Sequence, residues 1–172
     1  MTVVVADTSP INYLLLIGEI NLLPRLYGEV VLPFEVVAEL SDKDAPPEVS
    51  RWIGAAPDWI RVRHPRASED DPVLPRIGPG ERAAILLAHH ESDVLLLIDD
   101  AAGRAEANKL GIPNIGTLGI LRAGARRRLL SLPTALERLA ETNFRVSQRL
   151  LADLLEEDSM RSRHVDEREP DS

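Results

Sequence analysis

Short runs of wholly apolar residues alternate along the chain with longer segments whose apolar residues recur every three or four positions. Wholly apolar runs are typical of strands buried on both faces of a parallel sheet. The longer segments have the period of amphipathic helices. We expect strands at residues 2–6, 29–32, 58–62, 94–98 and 112–116. The alternation predicts the α/β class, a three-layer α/β/α architecture with a central parallel sheet of about five strands.

Helices are expected between these strands and after the last one. Thr8 or Ser9 offers an N-cap for the first helix, with Pro10 as its first residue. The further helices are expected over residues 22–28, 33–41, 47–56, 80–91, 101–110, 117–128, 133–141 and 147–157. The polar stretch 63–79 holds four prolines and is expected to be a long loop. We predict one domain over residues 1–157, followed by a disordered tail over 158–172, which has little to bury.

Acidic residues follow two of the expected strands at the point where each ends. Asp7 comes directly after VVVA, and Asp99 and Asp100 come directly after VLLLI. In parallel sheets, ligands bind beyond the carboxyl ends of the strands, where the strand order reverses. A carboxylate at the edge of a core is costly to desolvate unless something pairs with it. Asp7 is therefore either a helix cap or one member of a charged site.

Glutamates on two helices could join these aspartates. Glu35 and Glu39 lie one turn apart at the edge of an apolar helix face, so either could lean over the sheet. Glu81 lies on the inward stripe formed with Ala84 and Ile85. The alternative for Glu81 is favourable placement in the first turn of a helix, where the dipole stabilises an acid by about 0.3–1 kcal/mol.

A convergence of these carboxylates would require compensating charge. Two like charges 4 Å apart repel by about 4 kcal/mol at an effective dielectric constant near 20. Either some of the groups bind protons or a divalent cation binds among them. Ligands that are all oxygen select Mg²⁺ or Mn²⁺ over zinc or copper. Such sites serve phosphoryl chemistry.

Composition narrows the class of protein. The net charge of −8 argues against a nucleic-acid partner, but bound cations would offset part of it. The chain has no cysteine, which excludes disulfides and thiolate metal sites. We see neither a secretory signal nor an apolar run near the ~20 residues of a membrane helix. A cytoplasmic protein with no membrane partner is expected.

Five motifs occur in an order that resembles the PIN-domain nucleases. They are VVVADTSPI, VLPFEVVAEL, GPGERAAILLA, LLLIDDAAGR and GIPNIGTLGIL, within residues 2–125. The pattern is most similar to a prokaryotic branch whose first motif reads D-[ST]-S-P and whose fourth reads D-D-x-x-G-R. The resemblance implies a sheet of five parallel strands in the order 3-2-1-4-5. It also implies a metal site at the carboxyl ends of the central strands.

The resemblance also implies which acids hold the metal. Asp7 matches the family's first acid, Glu39 the second and Glu81 the third, which is Asp in many relatives. Asp100 best matches the fourth, although Ile98 stands where the family usually has Thr, and the neighbouring Asp99 stays a second candidate. Ser9 and Asn12 follow the first acid and could orient a ligand or a water, although Ser9 could equally be a bare N-cap.

The function implied by the resemblance is a divalent-metal-dependent endoribonuclease. Many such prokaryotic proteins are toxins of toxin–antitoxin pairs, held inactive by a small partner protein and often dimeric. The apolar stretch INYLLLIGEINLLPRLYG could supply the homodimer or antitoxin surface, or simply cover the sheet. Arg122, Arg126 and Arg127 could contact RNA phosphates, and RVRHPR (61–66) is a comparable candidate. The alternative for the first group is a solvated helix end, where cations suit the dipole.

Two other functional classes compete with the nuclease. A non-catalytic or regulatory interaction module of the same fold would need no complete set of acids. A phosphoacceptor receiver domain also gathers acids at strand ends, but it needs a lysine near them. The two lysines, Lys43 and Lys109, do not follow a strand. Phosphatases of the haloacid dehalogenase type require Asp-x-Asp after the first strand, and Ser9 stands at the second acidic position.

Overall fold

The computed structural model describes residues 1–166, and its elements alternate as the sequence predicts. The strands are β1 (Val3–Ala6), β2 (Val30–Pro33), β3 (Ile60–Arg63), β4 (Val94–Leu97) and β5 (Asn114–Ile115). The helices are α1 (Thr8–Leu16), α2 (Leu22–Tyr27), α3 (Phe34–Leu40), α4 (Pro47–Gly54), α5 (Pro79–His89), α6 (Ala101–Lys109), α7 (Thr117–Arg126), α8 (Leu132–Ala140) and α9 (Gln148–Asp166).

The five strands form one parallel sheet in the order β3-β2-β1-β4-β5. This confirms the predicted strand order, the α/β class and the three-layer α/β/α architecture. β1 and β4 are central neighbours, and their register pairs Val3 with Val94 and Ala6 with Leu97. Their carboxyl ends therefore lie side by side, at the point where the strand order reverses.

The core consists of aliphatic side chains from the sheet and the helices that cover it. Val5 and Leu96 contribute from the central strands, Ile98 from the position directly after β4 and Ile85 from α5, each exposed by 1% or less. The loop between β3 and α5 is tied to this core, because Leu74 and Ile77 are buried in it. The predicted long loop at 63–79 is therefore irregular in backbone but anchored by two side chains.

The chain divides into two compact units, residues 1–117 and the segment from Leu118 onward. The first unit contains the whole sheet, and in the second α8 contacts α9. The prediction of one domain over residues 1–157 stays a prediction.

The last helix is longer than the sequence predicts. α9 extends to Asp166, so residues 158–166 are helical, and the predicted disorder is wrong for them. The half-buried positions of α9 recur every three or four residues but include charged side chains, among them Asp158 and Arg161. These two form an ion pair at 2.8 Å, which offsets the cost of partly burying their charges. The remainder of the predicted tail, 167–172, lies outside the described residues.

Among the helices of residues 1–166, none has both the length and the apolar composition needed to cross a membrane.

Candidate active site

The acids that follow β1 and β4 meet at the carboxyl edge of the sheet. The backbone N–H of Asp7 donates to the carbonyl oxygen of Leu97 at 2.9 Å, so the chain leaves both strands at the same level. Asp99 follows two residues later, after the buried Ile98. Adjacent parallel strands thus place two carboxylates in one crevice, as the strand-then-acid pattern predicts.

Asp7 is the most constrained of these acids. It is 2% exposed, and within residues 1–166 its Oδ1 atom has no hydrogen-bond partner. Burial raises its pKa from 3.8 to about 7. The backbone N–H of Thr8 acts in the opposite direction, and the carboxylates of Glu81, Glu39 and Asp99 raise the pKa further. Asp7 is therefore an ionisable group in a place that disfavours its charge.

The helix after β1 begins two residues earlier than the sequence predicts. α1 starts at Thr8, so Asp7 occupies the N-cap position and neither Thr8 nor Ser9 does. Pro10 becomes the third helical residue rather than the first, and it has no N–H to offer a capping side chain. Asp7 accordingly forms no capping hydrogen bond, so the cap alternative does not explain its burial.

Glu39 is held over the crevice by two hydrogen bonds. The Thr8 hydroxyl donates to its Oε2 atom, and the backbone N–H of Gly80 donates to its Oε1 atom at 3.0 Å. The carboxylate lies against Gly80 so closely that a Cβ atom added there would stand 2.6 Å from Oε2. Of the two glutamates on α3, Glu39 is therefore the one that faces Asp7.

Glu81 lies half-buried in the first turn of α5. Its Oε2 atom accepts a hydrogen bond from the backbone N–H of Gly78 at 3.1 Å. Burial raises its pKa, the Gly78 N–H lowers it, and the carboxylates of Asp100 and Glu39 raise it. Glu81 thus accepts a hydrogen bond at the start of α5 and also faces the other carboxylates, and its role as a metal ligand stays a prediction.

The two aspartates after β4 play different structural roles. Both oxygens of Asp99 are bound by Thr117, with 2.7 Å from the backbone nitrogen to Oδ1 and 2.7 Å from the hydroxyl to Oδ2. Asp100 is exposed and caps α6, its Oδ2 atom accepting the Gly103 N–H at 2.8 Å. Asp99 influences Asp7 and Asp100 influences Glu81, so each faces a different part of the crevice. Which of the two serves as fourth acid stays a prediction.

The other residues singled out in the sequence are placed less decisively. Ser9 and Asn12 are half-buried on α1, and neither side chain forms a hydrogen bond in the part of the chain that the structure describes. Arg122 and Arg126 both pair with Glu157, at 2.9 Å and 2.6 Å, within the second unit. Exposed pairs of this kind contribute about 0–1 kcal/mol, so phosphates could displace Glu157. An RNA contact at Arg122, Arg126 and Arg127 stays a prediction.

Several residues that hold the acids in place are not singled out by the sequence. Thr8 and Gly80 position Glu39, and Thr117 positions Asp99. Gly116 leaves room for Asp99, since a Cβ atom there would lie 2.8 Å from Oδ1. Tyr13 on α1 also faces this region, because burial and then the Asp99 carboxylate raise the pKa of its hydroxyl. Thr8 and Gly80 adjoin acids in the motifs, which is the one signal that could have revealed them.

The donor set fits a hard divalent cation. The converging side chains are all carboxylates, Asp7 carries a buried oxygen without a partner, and the like charges need compensation. Across residues 1–166, no three acidic or histidine side chains are grouped closely enough to hold a metal as they stand. Binding a cation would therefore require carboxylates to turn from their present hydrogen bonds, with Asp7, Glu39, Glu81, Asp99 and Asp100 as the available ligands.

Asp7 should make the metal-free protein less stable as pH rises. Because its pKa is 3.8 in the unfolded chain and about 7 in the folded one, the folded protein holds the extra proton between these values. We expect the free energy of unfolding, measured by urea denaturation in EDTA, to fall between pH 4 and pH 7. Asp7→Asn should remove on the order of 2 kcal/mol of that fall.

The control for this experiment is Asp58→Asn, since Asp58 is exposed and remote in sequence from the site. Its pH dependence should match the wild type. If the free energy of unfolding of Asp7→Asn also changed with pH as it does in the wild type, Asp7 would not be a buried acid with a raised pKa.

Gly80→Ala should displace Glu39 while leaving the fold intact. The new methyl group would stand 2.6–2.8 Å from the Glu39 carboxylate, whose side chain can swing away at little cost to stability. The bonds to Thr8 and Gly80 would then be lost. We expect a crystal structure of the variant to show Glu39 turned outward, and calorimetry to show Mn²⁺ affinity reduced about ten-fold. Gly54→Ala, where the methyl group meets nothing within 4 Å, is the matched control. An unmoved Glu39 would contradict this explanation.

Comparison with known families agrees with the geometry. A family model described as a PIN domain matches residues 3–159 of this chain. No curated protein and no solved structure matches the chain. The match extends over most of the chain and includes every acid of the crevice. The chain therefore belongs to the PIN-domain family, whose members are generally nucleases.

Proposed function

We propose that this protein is a divalent-metal-dependent endoribonuclease that hydrolyses phosphodiester bonds in RNA. The observation that carries the proposal is Asp7, a buried carboxylate with an unpartnered oxygen at the edge of the central strands. Burial raises its pKa first, and the carboxylates of Glu81, Glu39 and Asp99 add to that rise, so they face the same crevice and would turn toward a shared ligand. Such a site disfavours its own charge and gains most from a bound cation.

Each acid has a defined part in this proposal. Asp7, Glu39, Glu81 and either Asp99 or Asp100 would hold Mg²⁺ or Mn²⁺. The chemistry supplied by a cation held there would be activation of a water for attack on phosphorus and stabilisation of the departing oxygen. The chain itself supplies the positioning: Thr8 and Gly80 orient Glu39, and Thr117 orients Asp99. No side chain needs to form a covalent intermediate.

The proposed RNA substrate must approach a chain of net charge −8. Bound cations would offset part of the acidic charge where the scissile phosphate binds. Arg122, Arg126 and Arg127 are the proposed phosphate contacts. Since only these three arginines are proposed to contact phosphates, the affinity for RNA should fall only modestly as the salt concentration rises.

We further propose a biological role as the toxin of a toxin–antitoxin pair in the prokaryotic cytoplasm, restrained by a small antitoxin protein. This rests on the motif resemblance. α1 and α2 bury most of their apolar side chains but leave Leu15, Leu16 and Leu26 half-buried. These leucines are the proposed homodimer or antitoxin surface. A monomer in sedimentation at micromolar concentration would contradict the homodimer.

The nuclease proposal is tested with labelled single-stranded RNA in the presence of Mg²⁺ or Mn²⁺. We expect endonucleolytic cleavage by the wild type, none in EDTA, and a rate at least 100-fold lower for Asp7→Asn.

Expression of the wild type, but not of Asp7→Asn, should arrest growth of a prokaryotic host if the toxin role is right.

Asp58→Asn again serves as the matched control and should cleave like the wild type. Asp99→Asn and Asp100→Asn, compared side by side, would identify the fourth acid as the one whose loss abolishes cleavage. Absence of metal-dependent cleavage, or an equal rate in Asp7→Asn, would overturn the proposal and favour the non-catalytic interaction module.

A further inference from the structure

A cavity of about 290 Å³ lies between α3, α5 and the loop that precedes α5. Its walls are mostly apolar, with two charged side chains among them, and include Glu35, Pro65, Ile77, Pro79, Arg82 and Leu86. The loop that forms one wall of the cavity is anchored to the core, because its side chains Ile77 and Leu74 are buried, Leu74 with 1% exposure. This is an open, preformed cavity large enough for one planar ring system.

Glu35 is the unusual wall residue. Its Oε2 atom is buried, and within residues 1–166 it has no hydrogen-bond partner. Arg82, the other charged wall residue, instead donates from Nη2 to the carbonyl oxygen of Leu74 at 2.9 Å. A buried acceptor without a donor costs free energy. A ligand that brings N–H donors into the cavity would remove that cost.

A stacked pair of rings stands beside this cavity. The rings of Phe34 and His64 are 4.9 Å apart at their centroids and tilted by 24°, and Phe34 is 50% exposed. Phe34 precedes Glu35 and His64 precedes Pro65, so each ring belongs to a residue that is next in sequence to a wall residue. An exposed aromatic face of this kind stacks well on nucleobases. Such stacking tolerates any sequence, because every base has a π face.

The cavity and the acidic crevice share two elements. Glu35 and Glu39 are separated by one turn of α3, which is about 6 Å along the axis. Pro79 lines the cavity, and the next residue, Gly80, donates its N–H to Glu39. Phe34 and His64 follow β2 and β3, at the same sheet edge as Asp7. A nucleotide in the cavity would therefore lie about one nucleotide step from the acids.

We propose that this cavity is a base-recognition pocket that binds a guanine of single-stranded RNA, with Glu35 accepting hydrogen bonds from the base. The proposal rests on the nuclease function above and adds its sequence preference. Phe34 and His64 form the platform on which a neighbouring base stacks. Glu35 is thus a specificity residue and not one of the proposed metal ligands.

Guanine is favoured because of the hydrogen-bonding pattern of a carboxylate. An ionised glutamate has two acceptor oxygens and no donor. The Watson–Crick edge of guanine presents two adjacent donors, N1–H and the N2 amino group, that match both oxygens. Adenine and cytosine each place a ring acceptor beside their amino group, and uracil flanks its single N–H with two carbonyl oxygens. Only guanine therefore satisfies Glu35 without opposing a lone pair to it.

The test is binding of short oligoribonucleotides that are identical except for one central base, measured by fluorescence anisotropy in EDTA. Without metal there is no cleavage, so recognition is measured apart from catalysis. We expect the guanosine oligonucleotide to bind about 10- to 100-fold more tightly than those with adenosine, cytidine or uridine. Inosine, which lacks the N2 amino group, should lose most of this preference.

Glu35→Gln should abolish the preference for guanosine, because the amide replaces one acceptor by a donor. Glu48→Gln, an exposed glutamate in the first turn of α4, is the matched control and should keep it. Phe34→Ala should weaken binding of all the oligonucleotides by about ten-fold without changing their ranking.

Equal affinity for all four bases, equal binding of inosine and guanosine, or an unchanged preference in Glu35→Gln would each overturn the pocket. The inosine comparison uses the wild-type protein, so it decides the question even if a variant fails to fold. The two proposals fail separately. Cleavage without base preference would remove the pocket alone, whereas guanine binding without metal-dependent cleavage would remove the nuclease alone.

Discussion

The unfavourable burial of one carboxylate governs the organisation of this protein. Asp7 ends the central strand β1, is 2% exposed, and has an oxygen atom without a partner. Burial raises its pKa to about 7, and three further carboxylates add to that rise instead of relieving it. Natural proteins keep such groups where function requires them, since they reduce the stability of the fold. The rest of the fold supplies the free energy that the burial of Asp7 costs.

That stability comes from the aliphatic sheet beneath the site and from the short hydrogen-bonded contacts around it. Thr8 and Gly80 fix Glu39, Gly78 fixes Glu81, and Thr117 fixes Asp99. Each acid thus has a donor, although Oδ1 of Asp7 is left without one, and these bonds keep like charges apart while no cation is bound. The same hydrogen bonds fix the orientation from which each carboxylate would turn to bind a metal. They thus preorganise the acids while they hold the like charges apart.

The sequence predicts the fold well and the site in part, for different physical reasons. Wholly apolar runs such as VLLLI have few alternatives to a buried parallel strand, so the strands and their order follow. The acids after β1 and β4 follow from that order. The placement of Glu39 rather than Glu35 over the crevice does not follow from the helix pattern, because both lie on the same helix edge, and only the motif resemblance indicates it. It depends on Thr8 and Gly80, which are brought to Glu39 by packing of distant segments. The last turns of α9 do not follow from the apolar pattern, because their half-buried positions include charged residues such as Asp158 and Arg161.

The most direct test of the central claim is a calorimetric titration of Mn²⁺ into the metal-free wild type and into Asp7→Asn, at pH 6 and at pH 8. If Asp7 is a buried ligand with a pKa of about 7, the wild type binds Mn²⁺ and releases more protons at pH 6 than at pH 8. Asp7→Asn should bind at least ten-fold more weakly and lose this difference. Wild-type protein that binds no Mn²⁺, or a variant that binds it equally well with equal proton release, would contradict the claim.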